Sequence, residues 1–144
     1  MSDYLKLDNQ LCFPLYALSR QITNIYRPIL EKLGLTYPQY LVLMVLWEYK
    51  TASVKSLGER LWLDSGTLTP LLKRMEASEL IRRERSTEDE RLVNVTITEK
   101  GLSLESLAES IPGKIKCKIH MEDSEIVSLR NYLKKILLAC AENK

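Results

Sequence analysis

The chain is short of the residues that several function classes need. Only three of its 144 residues are cysteine, an odd number, widely spaced and with no CxxC pair. That argues against a framework of structural disulfides and against a zinc site, which gathers about four ligands in one place. A single histidine, His120, leaves little scope for histidine-based catalysis and reads as a surface residue rather than a ligand. Glycine and proline number five each, and no stretch is low in complexity. No apolar run approaches the ~18 residues of a membrane span. The opening "MSDYLKLDNQ" has no basic region followed by an apolar core, so no secretory signal is read and the cytoplasm is the expected location. Nothing calls for a metal or a cofactor.

What is present is the composition of an ordinary soluble protein, 45% hydrophobic and 28% charged, of a length that fits one domain over residues 1–144. The net charge of +2 hides a local concentration of Lys73, Arg74, Arg82, Arg83 and Arg85 within "KRMEASELIRRER". A basic cluster of this kind hints at nucleic acid.

Periodicity orders the chain. Leu11, Leu15, Leu18, Ile22, Ile25 and Ile29 recur in steps of four and three, the seam of a helix with something to pack against, such as a second subunit. Pro28 is expected to kink or break this helix near Arg27, and Gly34 to close the segment. Pro14 either bends the helix or marks its first turn. Thr36 with Gln39 forms a capping box, and the run from Leu41 to Trp47 is apolar nearly all round, as in a central helix. A short helix follows over residues 53–63, capped by Ser53. The next covers "DSGTLTPLLKRMEASEL", capped by Asp64 or Ser65, with Leu68, Leu71, Leu72 and Met75 facing inward. It is expected to begin near Gly66 or Thr67, so that Pro70 falls in its first turn. At Val93, Val95 and Ile97 the period changes to two, which predicts a strand paired with "LIRRER" across an exposed "STEDE" tip. Helix returns at Thr98, is expected to stop at Pro112-Gly113, resumes in "KIKCKIHM", and ends in an amphipathic helix with Ile126, Leu129, Leu133, Ile136, Leu137 and Cys140 on one face.

Helix, short helix, helix, charged hairpin is the order of a winged helix-turn-helix, here residues ~36–98. The fold class expected is mostly α with a small β-hairpin wing, flanked by dimerisation helices at about 8–33 and 99–142. In such a module the second helix of the turn enters the major groove and meets it with its N-terminal residues. Here these are Ser65, Gly66, Thr67 and Thr69, small enough for close backbone approach, with Lys73 and Arg74 placed to reach phosphates. Arg83, Arg85 and Arg91 are assigned to the hairpin tip, where an arginine suits the negative potential of a narrow minor groove. Asp89, two residues before Arg91, can hold its guanidinium in a bidentate pair.

"DSGTLTPLLKRME" followed by "RSTEDERLVNVTITEKG" resembles the MarR family of bacterial transcription regulators, with the D-x-R wing and T-E-K-G as its most recognisable elements. "LCFPLYALSR" and "YRPILEKLGLTYPQYLVLMVLWE" are closer still to one branch, the organic-hydroperoxide-sensing repressors. The resemblance implies a homodimer on a palindromic double-stranded operator, with Ser65, Thr67 and Thr69 in the groove and Asp89 and Arg91 at the wing contact.

Cys12 is then the residue in question. Thiolate is the reactive form of cysteine, and phenol O–H groups that donate to a thiolate favour it. Tyrosines are at hand, but Tyr26 lies fourteen residues beyond Cys12, roughly 21 Å along one helix. On a continuous helix the two meet only across two antiparallel subunits. The pocket is therefore expected at a dimer interface, with Tyr26 and Tyr37 from the second subunit, and with Phe13 and Tyr16 making it suited to an organic peroxide. This agrees with the resemblance, in which the matching tyrosines bond to the reactive cysteine. The resemblance also implies the two-cysteine form of the branch: Cys12 becomes sulfenic acid, then bonds to Cys117 of the partner subunit, and the operator is released. Cys140 is read as structural. Two other readings stay open: a regulator of the same family released by a small aromatic ligand, and a thiol peroxidase, for which the chain lacks a βαβ pattern. A helical interaction module without DNA contact fits the wing signature poorly.

Overall fold

The structure, a computed structural model, describes residues 2–143. It forms two compact units, one running through residue 109 and a smaller one from residue 110. The first holds five helices and one small sheet: α1 (Cys12–Glu31), α2 (Tyr37–Tyr49), β1 (Thr51–Ser53), α3 (Val54–Leu61), α4 (Ser65–Ala77), β2 (Ile81–Arg85), β3 (Val93–Ile97) and α5 (Glu99–Ala108). The second holds α6 (Ile111–Ile119) and α7 (Asp123–Ala141). Two short 3-10 turns, Asp3–Leu5 and Leu7–Asn9, precede α1. No helix among the described residues is long and apolar enough to cross a membrane.

The local signals explain most of the boundaries. Thr36 Oγ1 accepts from the Gln39 N–H at 3.4 Å, and Gln39 Oε1 accepts from the Thr36 N–H at 3.0 Å. This reciprocal pair satisfies two of the donors that a helix start leaves open, and it lets Gln39 be buried at no cost in lost hydrogen bonds. Ser53 caps α3 through the Ser56 N–H. Between α3 and α4 the chain reverses tightly: Trp62 takes a left-handed conformation at φ 57°, and the Leu63 N–H returns to the Gly58 carbonyl at 3.0 Å. A Cβ on Gly58 would stand 2.9 Å from the Leu63 oxygen, so this turn needs glycine there. α2 is the central helix, with Tyr40, Val42, Leu43 and Leu46 buried among Leu30, Leu57, Leu68, Leu72, Met75, Ile81 and Val95. Each such leucine contributes about 1.5–3 kcal/mol by leaving water.

Three prolines sit differently from the expectation. α1 runs unbroken through Pro28 to Glu31. The hydrogen bond that Pro28 forgoes is the one to the Asn24 carbonyl, at an exposed position, while fully buried Leu30 anchors the turn beyond it. Packing thus outweighs a local penalty of about 3 kcal/mol. α4 begins at Ser65, so Pro70 lies in its second turn rather than its first. The helix break before α6 comes ahead of Pro112, which occupies the first turn of α6, where a proline lacks nothing. Pro14 likewise lies in the first turn of α1.

The sheet has three antiparallel strands in the order β1-β3-β2, not two. β1 pairs Thr51 with Thr96, Ala52 with Val95 and Ser53 with Asn94. β2 pairs Ile81 with Ile97 and Arg85 with Val93. The hairpin is therefore rooted in the core by Ile81, Val95 and Ile97 and held from one side by β1.

Candidate DNA-binding surface and thiol site

The start of α4 is set by Asp64, whose Oδ1 accepts the Thr67 N–H at 2.7 Å. That bond holds the Asp64 carboxyl below its ordinary range. Leu68, Leu71, Leu72 and Met75 turn inward, so the opposite stripe is free. Ser65, Gly66 and Thr67 are exposed, Thr69 is half-buried, and Ser65, Thr69 and Lys73 follow each other at intervals of four along one side. Lys73 and Arg74 are exposed. The result is a helix end of small hydroxyls and backbone N–H groups with two cations behind it, a surface suited to phosphate oxygens and base edges.

The tip between β2 and β3 is organised by its own hydrogen bonds. The Ser86 N–H donates to the Leu92 carbonyl at 2.7 Å, and the Leu92 N–H to the Asp89 carbonyl at 2.9 Å. Asp89 takes three donors from one residue: the Arg91 backbone N–H at 3.1 Å, Nε at 3.2 Å and one terminal guanidinium nitrogen at 3.4 Å. These bonds hold the Asp89 carboxyl below its ordinary range. The Arg91 side chain remains 90% exposed, so the carboxylate aims the guanidinium without covering it.

Arg83 is not at the tip. It sits in the middle of β2, opposite Val95, and is half-buried against Glu76 of α4. Its backbone N–H donates to Glu76 Oε2 at 2.8 Å, and Nε and a terminal nitrogen donate to Oε1 at 3.2 and 3.1 Å. Proximity to the "STEDE" turn in sequence places Arg83 two residues too far out; an acid on the neighbouring helix claims it. Arg85 does reach the tip, donating to the Glu90 carbonyl at 3.0 Å.

Cys12 is the first residue of α1, exposed and unbonded, in a first turn with no side-chain cap. Tyr16 shares its face one turn on, 63% exposed, with the Arg20 guanidinium 4.5 Å from its ring centroid. Phe13 is also exposed. Tyr26 and Tyr37 pack together at 4.7 Å between ring centroids. Tyr40, buried at the start of α2, joins them at 5.9 and 6.3 Å. Burial, then the neighbouring Tyr37 and Tyr40, push the Tyr26 phenol up to about 12. Burial also raises Tyr37 and Tyr40. All three therefore remain O–H donors at neutral pH. Because α1 is continuous, Tyr26 lies roughly 21 Å along the axis from Cys12 of its own chain, and the pair does not meet within one chain.

In the second unit, Cys117 is an exposed residue of α6 between Lys116 and Lys118. Lys116 pairs with Asp123 at 2.6 Å. Cys140, on α7, is exposed as well. His120 is the exposed, left-handed cap of α6 at φ 53°. Among the described residues no three His, Cys, Asp or Glu gather as a metal site.

The family model described as transcriptional regulator SarA/Rot matches residues 24–106. An organic hydroperoxide resistance transcriptional regulator of Bacillus subtilis (strain 168) is 52% identical over 135 residues, covering 94% of this chain and 92% of that protein. The chain belongs to the MarR family of transcriptional regulators. MarR-family structures share its winged-helix fold. AbfR in its reduced form bound to DNA superposes with a TM-score of 0.78 at 36% identity, covering 94% of each chain. The disulfide form of AbfR gives a TM-score of 0.63 at 36% identity, covering 91% of this chain and 92% of that one.

Two features of this MarR-family chain are not visible in its sequence pattern. One is the Glu76–Arg83 lock; the charges stand out but not their partnership. The other is Trp47, whose Nε1–H donates to the Gly101 carbonyl at 3.0 Å and whose ring meets Tyr40 edge-on at 6.1 Å. α2 thus carries tyrosines at one end and grips the root of the wing at the other.

Proposed function

We propose that this chain is a homodimeric repressor that binds a palindromic operator and reports organic hydroperoxides through Cys12. Membership of a family of DNA-binding regulators supplies the DNA half of this reading. The observation that carries the sensing half is the separation on α1: an exposed thiol at the helix start, and three neutral phenol donors gathered where the same chain's thiol does not reach. Two such helices packed antiparallel would bring the Tyr26 and Tyr37 of the partner subunit to Cys12, with Phe13 and Tyr16 walling the pocket.

The chemistry is stoichiometric. The Cys12 thiolate attacks the outer peroxide oxygen, the O–O bond breaks, and the organic fragment takes a proton and leaves as the alcohol. Sulfur, oxidised by two electrons, is now sulfenic acid. The thiol of Cys117 of the partner subunit displaces water from it to form the intersubunit disulfide. Bridging requires Cα atoms within about 7 Å, and bound half-sites require helices about one DNA turn, roughly 34–36 Å, apart. A disulfide that draws helices together would break that spacing.

Non-reducing electrophoresis of wild type, Cys12→Ser and Cys117→Ser, before and after cumene hydroperoxide, tests the reading. A covalent dimer absent from both variants is expected. A dimer that persists in Cys117→Ser would move the resolving role to Cys140 or to a pair of Cys12 residues. An unreactive Cys12 would overturn the sensor and leave a repressor released by a small aromatic ligand.

A further inference from the structure

β2 is an edge strand, with β3 on one side and no strand on the other. The N–H that Arg83 presents on that open side is taken by Glu76 Oε2 at 2.8 Å. The second carboxylate oxygen takes the Arg83 side chain through two N–H donors, at 3.2 and 3.1 Å. One carboxylate, in the C-terminal part of α4, thus acts as a fourth strand for the backbone and as an ion-pair partner for the side chain. The covalent path between the same two elements is only residues 78–80, with Glu79 in a left-handed conformation at φ 62°. Farther out, β1 reaches only to Asn94 on the β3 side, through Ser53, and the other described hydrogen bonds there are the hairpin's own strand pairing and tip bonds.

We propose that Glu76 is a positioning residue for DNA binding: by gripping Arg83 it fixes the angle at which the hairpin presents Arg91 relative to α4. The inference rests on the reading of the chain as a DNA-binding regulator. Its physical content is leverage. At about 3.3 Å per residue the Asp89–Arg91 tip stands roughly 10 Å beyond Arg83. A tilt of about 10° at the grip moves the tip by about 2 Å, enough to break the ~3 Å hydrogen bonds of a guanidinium in a groove. Ser65 and Thr69 sit on α4 itself and are unaffected by such a tilt. Arg83 is consequently not a DNA contact but the handle by which the helix holds the wing.

The test is a double-mutant cycle on DNA affinity. The probe is a duplex of about 30 base pairs selected from a random pool by the reduced wild-type protein, long enough for two half-sites. Arg91→Ala is expected to weaken wild-type binding about tenfold but only about twofold in a Glu76→Gln background. Ser65→Ala is expected to cost the same factor in both backgrounds, which general destabilisation would not give. Arg83→Gln approaches the grip from its other side and should repeat the pattern; it serves as the measurement if Glu76→Gln does not fold. Equal cost of Arg91→Ala with and without the grip overturns the proposal, as does an Arg91→Ala that costs nothing in the wild type. If the wild type selects no duplex, the DNA-binding reading itself fails, a result distinct from an additive cycle.

Discussion

Gly101 and Gly113 make a matched pair for which the same substitution should have opposite signs. Gly101 lies in the first turn of α5, against the root of the wing. A Cβ there would stand 2.5 Å from the Leu80 carbonyl oxygen and 2.7 Å from Ile97 Cγ1. The Leu80 oxygen cannot retreat freely, because it accepts the Thr98 N–H at 3.1 Å. Nor can the glycine: its N–H donates to Thr98 Oγ1 at 3.1 Å and its carbonyl accepts from Trp47 at 3.0 Å. Overpacking of a tight site costs about 1–3 kcal/mol, and a backbone neighbour places this one near ~3 kcal/mol. The better helix propensity of alanine returns about 1 kcal/mol, so Gly101→Ala should lose about 2 kcal/mol net. Gly113, inside α6, has nothing within 4 Å of its would-be Cβ. Gly113→Ala should therefore gain about 0.5–1 kcal/mol. For a chain of this size, about 2–4 °C per kcal/mol applies. The melting midpoint should fall by ~4–8 °C in the first variant and rise by ~1–4 °C in the second. Urea unfolding followed by circular dichroism, with reductant and at one protomer concentration, checks both. A Gly101→Ala protein as stable as wild type would refute the close packing of α5 on Leu80 and Ile97.

Three further outcomes are expected. Thr36→Ala removes one half of the α2 capping box and should cost about 1 kcal/mol in the same urea experiment. In an alkaline titration followed by phenolate absorbance, one late component should be absent from Tyr26→Phe. The unfolded chain releases that proton near pH 10 and the folded chain near pH 12, so this contribution is complete below pH 10 and stability falls as pH rises between the two. DNA affinity should fall steeply with salt, and Lys73→Ala should flatten the log–log slope by about 1 for the phosphate that Lys73 neutralises, equally on all sequences.

What the sequence made legible was local. The Thr36–Gln39 box, the Asp64 cap, the period-two run of Val93, Val95 and Ile97, and the Asp89–Arg91 pair each depend on residues within a few positions, and each is present. What stayed hidden depends on partners far along the chain. "TAS" has no alternation to speak of, yet becomes β1 because residues 94–96 come to lie beside it. Pro28 and Pro70 carry helix-breaking chemistry, but their penalty is local, and the burial of Leu30, Leu71 and Leu72 nearby exceeds it. Arg83 looks in sequence like any other arginine of a basic hairpin, and only the placement of Glu76 on the facing helix distinguishes it. Tyr40 stands just before the apolar run of α2, and only the fold shows that its buried ring completes the tyrosine cluster.

The seam on α1 explains why sensing and assembly would be inseparable in the proposed switch. Beside its far end the helix is buried within the chain, at Leu30, and there Tyr26 meets Tyr37 and Tyr40. Its near end is not: Leu11 and Leu18 stay exposed, with Phe13 and Tyr16 beside them and Cys12 in their midst. α7 has no buried residue in nineteen, although Leu129, Ile136, Leu137 and Leu138 lie along it. Apolar surface on this scale needs a cover. Whatever covers the near end of the seam also covers the thiol, so a second subunit there would exclude water, narrow the entrance to apolar peroxides, and supply phenol donors in one step. A thiol placed on the buried end would have had the tyrosines without the switch, because its oxidation would alter no contact between subunits.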